Sequence, residues 1–261
     1  MTGAASGIGR AVAISLARRG CDLALADINE AELARTAEMV AAEGIRVSHH
    51  RIDVADREAV ASFPALVMAE HGRVDILVND AGVALGGTFD QVSEADFEWL
   101  FAINFWGVVR TTRAFLPLLR ASDDARIVNL SSLYGLIAPP GQTAYCASKF
   151  AVRGFTQSLG HELENSPIGV TVVHPGGVAT AIARNARLPK GVPEEELRKR
   201  LAAIERLLRM PPERAGEIIV QAIERRKTRV LVGTDAEIMS LIERLLPVSH
   251  WKILTRLNRL R

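Results

Sequence analysis

The decapeptide MTGAASGIGR opens this 261-residue chain and sets Gly3, Gly7 and Gly9 directly ahead of a segment, AVAISLARRG, with helical apolar spacing. Glycines so spaced let backbone N–H groups come close to a pyrophosphate, and the helix that follows turns its positive end toward the same place. A loop of this kind joins a strand to a helix, so it commits the chain to α/β architecture. Here it stands first, with no strand ahead of it. The expectation is that an apolar strand of roughly eight residues precedes Thr2 in the natural protein.

The rest of the chain repeats the βα alternation of a parallel sheet buried on both faces. Strands are predicted at DLALAD, RVSHHRID, VDILVN, RIVNLS, GVTVVH and RVLVG, with helices starting near Gly7, Glu30, Asp56, Ser93, Ala144 and Pro212. No linker rich in Gly, Ser or Pro interrupts the pattern, so residues 1–261 read as one domain. The polar, then amphipathic, stretch at 181–210 is expected to form a lid. A net charge of +2 with both signs interspersed gives no nucleic-acid signature. Cys21 and Cys146 offer neither a disulfide framework nor a metal-binding spacing, and no metal site is expected. No apolar run approaches the roughly 18 residues of a membrane span, and no signal peptide is legible. Cytoplasmic residence is the expectation.

Two groups of residues carry chemistry. Asp27 closes DLALAD eighteen positions after Gly9, where a carboxylate can accept hydrogen bonds from an adenosine ribose and repel a 2′-phosphate. The other reading of Asp27 is a helix cap ahead of NEAELAR. Tyr145 and Lys149, four positions apart, share a helix face. Ser132, thirteen residues before Tyr145, falls at the C-terminal end of a predicted strand, where open α/β sheets bind ligands. A phenol is a poor base at neutral pH, with a reference pKa of about 10, and Lys149 is placed to stabilise its phenolate. The three groups could meet at one substrate carbonyl.

With these motifs in view the chain resembles the short-chain dehydrogenase/reductase family in its single-domain form, over nearly all its length to about residue 235. The resemblance implies a Rossmann-type doubly wound parallel sheet of order 3-2-1-4-5-6-7, with the first strand missing from the chain as given. It extends to NDAG (Asn79–Gly82), similar to the family's Asn-Asn-Ala-Gly, which steadies the sheet and lines the adenosine side of the groove; Asp80 in place of Asn is a mild departure. Asp53, followed by Val54, matches the adenine-contacting Asp. Asn104 matches the Asn that breaks a long helix and holds a water in a proton relay. HPGGVAT matches the Pro-Gly motif, whose Thr180 would bind the nicotinamide carboxamide.

The implied catalytic set is Asn104, Ser132, Tyr145 and Lys149: Tyr145 exchanges the proton at the carbinol oxygen, Ser132 bonds that oxygen, and Lys149 holds the nicotinamide ribose and lowers the Tyr145 pKa. The implied cofactor contacts are Gly3, Ser6, Gly7, Ile8, Gly9, Asp27, Asp53, Val54, Asn79, Ala81, Gly82, Tyr145, Lys149, Pro175, Gly176, Val178 and Thr180. NAD ranks ahead of NADP, because Ser6 and Ile28 stand where NADP-dependent members often carry a basic residue. The expected activity is hydride transfer between a nicotinamide and a secondary alcohol or ketone of apolar character. A non-catalytic dinucleotide sensor or scaffold is the rival reading.

Three further features have structural readings. His49 and His50 are adjacent in a strand and so point to opposite faces. Cys146, beside Tyr145, suits packing. Phe97, Leu100, Phe101 and Phe105 form a helical stripe that suits the core or a subunit contact, consistent with a homodimer or homotetramer. The segment 236–261 pairs Leu, Ile and Trp251 with Arg244, Lys252, Arg256, Arg259 and Arg261. It is expected either to lie on a membrane surface or to fold over the cleft or a subunit interface.

Overall fold

The structure, a computed structural model, describes residues 1–189, 195, 202, 205–249 and 251. Its parallel strands are β1 (Leu23–Asp27), β2 (Val47–Arg51), β3 (Ile76–Asn79), β4 (Ala125–Leu130), β5 (Ile168–Pro175) and β6 (Arg229–Val232). β1 pairs with β2, while β3, β4, β5 and β6 pair in that order. The short crossings between them are α1 (Gly7–Ala17), α2 (Glu30–Ala41), α3 (Arg57–His71), α4 (Glu94–Asn104), α5 (Trp106–Leu119), α6 (Thr143–Glu162) and α7 (Pro212–Glu224); α8 (Thr234–Leu245) follows β6.

Between β1 and β3 runs no extended strand but the first few residues of the chain. Thr2 bridges Ala26 on one side and Asn79 on the other. Thr2 N–H donates to Val78 at 2.9 Å, and Ala26 and Ala4 exchange bonds with this stretch, Ala26 N–H to Met1 and Ala4 N–H to the Ala26 carbonyl. The seat expected to stand empty is therefore occupied at its C-terminal end, next to the glycine loop. The α-amino group of Met1 donates to the Ala24 carbonyl at 2.6 Å, and its burial lowers its pKa to about 5.

Side-chain capping sets three of the helix starts. Asn29, Asp56 and Ser93 each accept a hydrogen bond from the first turn of the helix they open, α2, α3 and α4. Asp27 is thus not the cap of α2, a role taken by Asn29. The long helix predicted from Ser93 breaks at Phe105, dividing α4 from α5 immediately after Asn104. β2 stops at Arg51, short of the predicted Ile52 and Asp53.

Two apolar layers sandwich the sheet. One gathers Val12, Leu16, Leu33, Val40 and Ile219 from α1, α2 and α7. The other gathers Phe63, Phe115, Leu119 and Leu159 from α3, α5 and α6. α1 and α7 come close because α7 presents Gly216: a Cβ there would lie 2.6 Å from the Ala11 backbone. The Phe97, Leu100, Phe101, Phe105 stripe packs largely inward: Leu100 is buried, and Phe97 and Phe101 stack at 5.3 Å. His49 is exposed and His50 stacks edge-on against Phe63 at 5.2 Å. Of the expected lid, residues 190–194, 196–201 and 203–204 lie outside the described residues, as do 250 and 252–261 of the C-terminal segment.

Candidate active site

The C-terminal ends of the strands open onto a groove of about 440 Å³. The glycine loop forms one wall. Gly3 takes φ +72°, and a Cβ on it would lie 2.6 Å from the Ala81 amide; a Cβ on Gly9 would overlap the Gly3 carbonyl oxygen. Only glycines let loop and β3 approach this closely. Ser6, which precedes α1, makes no side-chain cap bond, so the first-turn amides of α1 face the groove without that partner. Arg10 straps the loop from behind, through the Ala5 carbonyl, Thr36 at 2.9 Å and Glu32 at 2.7 Å.

Of the expected cofactor contacts, Gly3, Ser6, Gly7, Ile8, Asp27, Asp53, Val54, Ala81, Gly82 and Thr180 line the groove. Asp27 is held at its mouth, accepting from the Ala5 amide at 3.1 Å and the Asn29 amide at 3.0 Å. Thr180 reaches Gly7 from the opposite side: a Cβ on Gly7 would lie 3.1 Å from its methyl group. Gly9, Asn79, Tyr145, Lys149, Pro175, Gly176 and Val178 are not on that wall. Asn79 lies beneath it, donating to Thr112 at 3.1 Å and Asn129 at 2.8 Å and accepting from Thr111 at 2.7 Å. It ties β3 to β4 and α5. Pro175 ends β5, and Gly176 and Gly177 pack on Asp235, the second residue of α8.

The expected reacting groups converge deeper in. Ser132 follows β4, its Oγ accepting from the Tyr134 amide at 3.1 Å, and it stands near enough to Tyr145 to favour the ionised phenol. Its backbone carbonyl contacts Nδ1 of His174 at 2.9 Å, and burial holds His174 neutral, its pKa lowered to about 4. Tyr145 and Lys149 lie one turn apart on α6, the Lys149 Nζ 5.8 Å from the Tyr145 ring centre. Lys149 is buried and donates to the Leu130 carbonyl at 3.1 Å. A Cβ on Gly82 would lie 3.5 Å from that Nζ and 3.3 Å from Asn104 Oδ1, so Lys149, Asn104 and the groove wall meet there. The Asn104 amide is engaged at both ends, with Val83 N–H at 2.8 Å and the Val83 carbonyl at 2.9 Å, and with Ser148 at 3.2 Å.

Burial pushes the Tyr145 phenol up to about 12, with Ser132 opposing the shift. Lys149 is itself pushed down to about 8 by burial, and its ammonium is supported by Asp80. Cys146, buried beside Tyr145, is driven up to about 12, which leaves it an inert packing thiol.

Sequence reasoning missed several groove residues: Ile52, Val83, Trp99, Ile103, Ala181, Ile182 and Asn185. The i, i+4 spacing of Trp99 and Ile103 on α4 was a readable signal, overshadowed by the phenylalanine stripe beside it. The described edge of the expected lid closes one end. Arg187 lies 3.7 Å over the Trp99 ring, pairs with Asp96 at 2.7 Å, and bridges its backbone to Leu85.

Fold and groove together define an α/β protein with a glycine-walled groove where its parallel strands end. A family model for short chain dehydrogenases matches residues 1–191, and the chain belongs to the short-chain dehydrogenase/reductase family. SadH of Mycobacterium tuberculosis is 43% identical over 255 residues, 97% of this chain and 92% of that protein. The oxidoreductase UcpA of Escherichia coli K12 is 40% identical over 186 residues, 71% of this chain and 70% of that one. Among solved structures, a Burkholderia phymatum family member in complex with NAD superposes with a TM-score of 0.87 at 31% identity, covering 94% of this chain and 91% of that one. A metagenomic oxidoreductase in complex with NADP gives a TM-score of 0.72 at 28% identity, with 88% and 94% covered. The chain is an oxidoreductase of this family, acting on CH–OH groups.

Proposed function

We propose that the protein is an NAD-dependent dehydrogenase of secondary alcohols, or reductase of the corresponding ketones, with an apolar substrate. The observation that carries this reading is the meeting of Ser132, Tyr145 and Lys149 below a groove whose mouth is guarded by Asp27. The residues present fit a dinucleotide: the start of α1 has no cap bond from the Ser6 side chain, the glycines leave a cradle that a Cβ would fill, and Asp27 offers acceptors for a ribose while opposing a 2′-phosphate. When bound, the nicotinamide would supply the hydride acceptor or donor. Solved relatives hold NAD in one case and NADP in another; Asp27, with no basic residue at Ser6 or Ile28, favours NAD here.

In this reading Tyr145 holds the proton at the carbinol oxygen, and Ser132 hydrogen-bonds the same oxygen and fixes its direction. Lys149 and Asn104 border the groove floor at Gly82, where Lys149 can bond a ribose hydroxyl. His174 keeps Ser132 in place from below. Burial pushes the Tyr145 phenol up to about 12, so it is held protonated near neutrality. Ile182, Trp99 and Val83 give the groove apolar flanks, in keeping with an apolar substrate.

The test is Tyr145→Phe assayed with NAD and NADP over a series of secondary alcohols and ketones. Turnover is expected to vanish while NAD binding persists. A variant that keeps wild-type turnover excludes the assignment, and a wild-type enzyme that turns over only with NADP excludes the NAD preference.

A further inference from the structure

Asp80 is the residue that the mechanism above leaves unused. It follows Asn79 in NDAG, and the family pattern that this stretch resembles has Asn there. Its carboxylate lies against Gly9, in the first turn of α1, whose backbone favours the ionised form. A Cβ on Gly9 would lie 2.6 Å from Asp80 Oδ2, so loop and carboxylate are in close contact. Three titratable groups face it from other elements: Asp27, at the end of β1, raises its pKa; Lys149, on α6, lowers it; and Tyr145, also on α6, is itself raised by Asp80. Asp80 is also part of the groove wall.

The same turn of α1 that would receive a pyrophosphate therefore already has a carboxylate against it. Two anions in one half-buried place repel strongly, because little water screens them. Asn would keep the contact with Gly9 without the charge.

Building on the functional reading above, we propose that Asp80 couples occupancy of the dinucleotide groove to a proton: the carboxylate takes up one proton from solvent as the phosphates settle on α1. The ionised form is the resting form at alkaline pH and opposes the ligand; the neutral form accepts it. The titration of Asp80 in the ligand-free protein is centred at about 7, which places the effect near neutrality. Lys149, titrating at about 8, loses its attraction for the ligand at a somewhat higher pH. The two groups must therefore be told apart by the sign of a substitution.

Asp80→Asn supplies that sign. NAD binding to the wild type and to D80N, followed by tryptophan fluorescence, is expected to be equal near pH 5.5 and tighter for D80N near pH 8, by several-fold and up to about tenfold for each pH unit above the titration. Were Asp80 merely a support for the Lys149 ammonium, D80N would bind more weakly at both pH values, and that result overturns the proposal. A second readout needs no variant: calorimetry of NAD binding to the wild type at pH 7 in buffers of different ionisation enthalpy should show net proton uptake. Uptake of no protons also overturns it. A wild type that binds neither NAD nor NADP at any pH rejects the functional reading itself, whereas tight binding that ignores pH rejects only the role of Asp80.

Discussion

Asn79 and Asp80 are neighbours in sequence, yet they belong to two different kinds of interior. Asn79 sits in a network of neutral groups: it bonds Thr111, Thr112 and Asn129, and Asn129 goes on to Thr156 at 3.0 Å. Donors meet acceptors across β3, β4, α5 and α6, and the network carries no charge to titrate. Asp80 sits among Asp27, Lys149 and Tyr145, where burial pushes each of Asp80, Lys149 and Tyr145 toward its neutral form. A satisfied neutral network can be rigid at every pH. A buried cluster of ionisable groups is sensitive to any charge that arrives, which is a property a reaction site needs and a structural floor does not.

The contrast can be broken most forcefully at Tyr145. Replacing it by Phe should lower kcat by about 10²- to 10⁴-fold, the usual worth of a positioned acid or base, with the NAD dissociation constant and the thermal midpoint little changed. The complementary substitution on the floor, Asn79→Leu, should act the other way round. It takes one partner each from Asn129, Thr111 and Thr112, which keep only their remaining bonds, so stability should fall by about 1–3 kcal/mol in a denaturant titration, by the same amount at pH 6 and pH 8.

Asp80→Asn sharpens the comparison by adding pH. The folded-state pKa of Asp80 is raised to about 7 from its ordinary value of 3.8. Between those values the native state holds a proton that the unfolded chain has lost. The favourable contribution of neutral Asp80 is thus present below about pH 4 and is lost as pH rises through 7. D80N should become more stable than the wild type by about 1–2 kcal/mol as pH climbs across that window, partly offset by the attraction to Lys149 that it gives up. A stability difference that stays flat from pH 4 to pH 8 would contradict the buried charge. The smallest effect is expected at the rim: Arg187→Ala, removing the contacts to Asp96 and Trp99, should change stability by less than about 1 kcal/mol. Its readout is KM, which should rise while kcat holds.

What was legible in the sequence followed distance along the chain. The glycine loop, the four-residue spacing of Tyr145 and Lys149, and the caps at Asp56 and Ser93 are local features, fixed by backbone geometry within a turn or two. The break at Phe105 was half legible, because Asn104 marked it but the apolar period ran straight through. The burial of Asp80 was not legible, because it depends on Gly9 folding back across some seventy residues to cover it. The upward push on the Tyr145 phenol was hidden for the same reason. Spacing shows that Lys149 is near, whereas the balance between burial and that charge is set by β4, Ser132 and Asp80 together. The residues seated between β1 and β3 were hidden by an expectation of a whole strand, since a single two-sided bridge at Thr2 leaves no pattern in sequence.

The tight packing of α1 on α7 has a mechanical consequence. α1 carries the glycine loop at its leading end and touches Gly216 at Ala11. α7 leads through β6 to α8, whose Asp235 grips the Gly177 amide at 2.6 Å, three residues from Thr180. The two jaws of the groove, loop and Thr180, are thus mounted on one frame. A side chain larger than hydrogen at Gly216 would therefore push directly on the Ala11 backbone of the helix that carries the glycine loop.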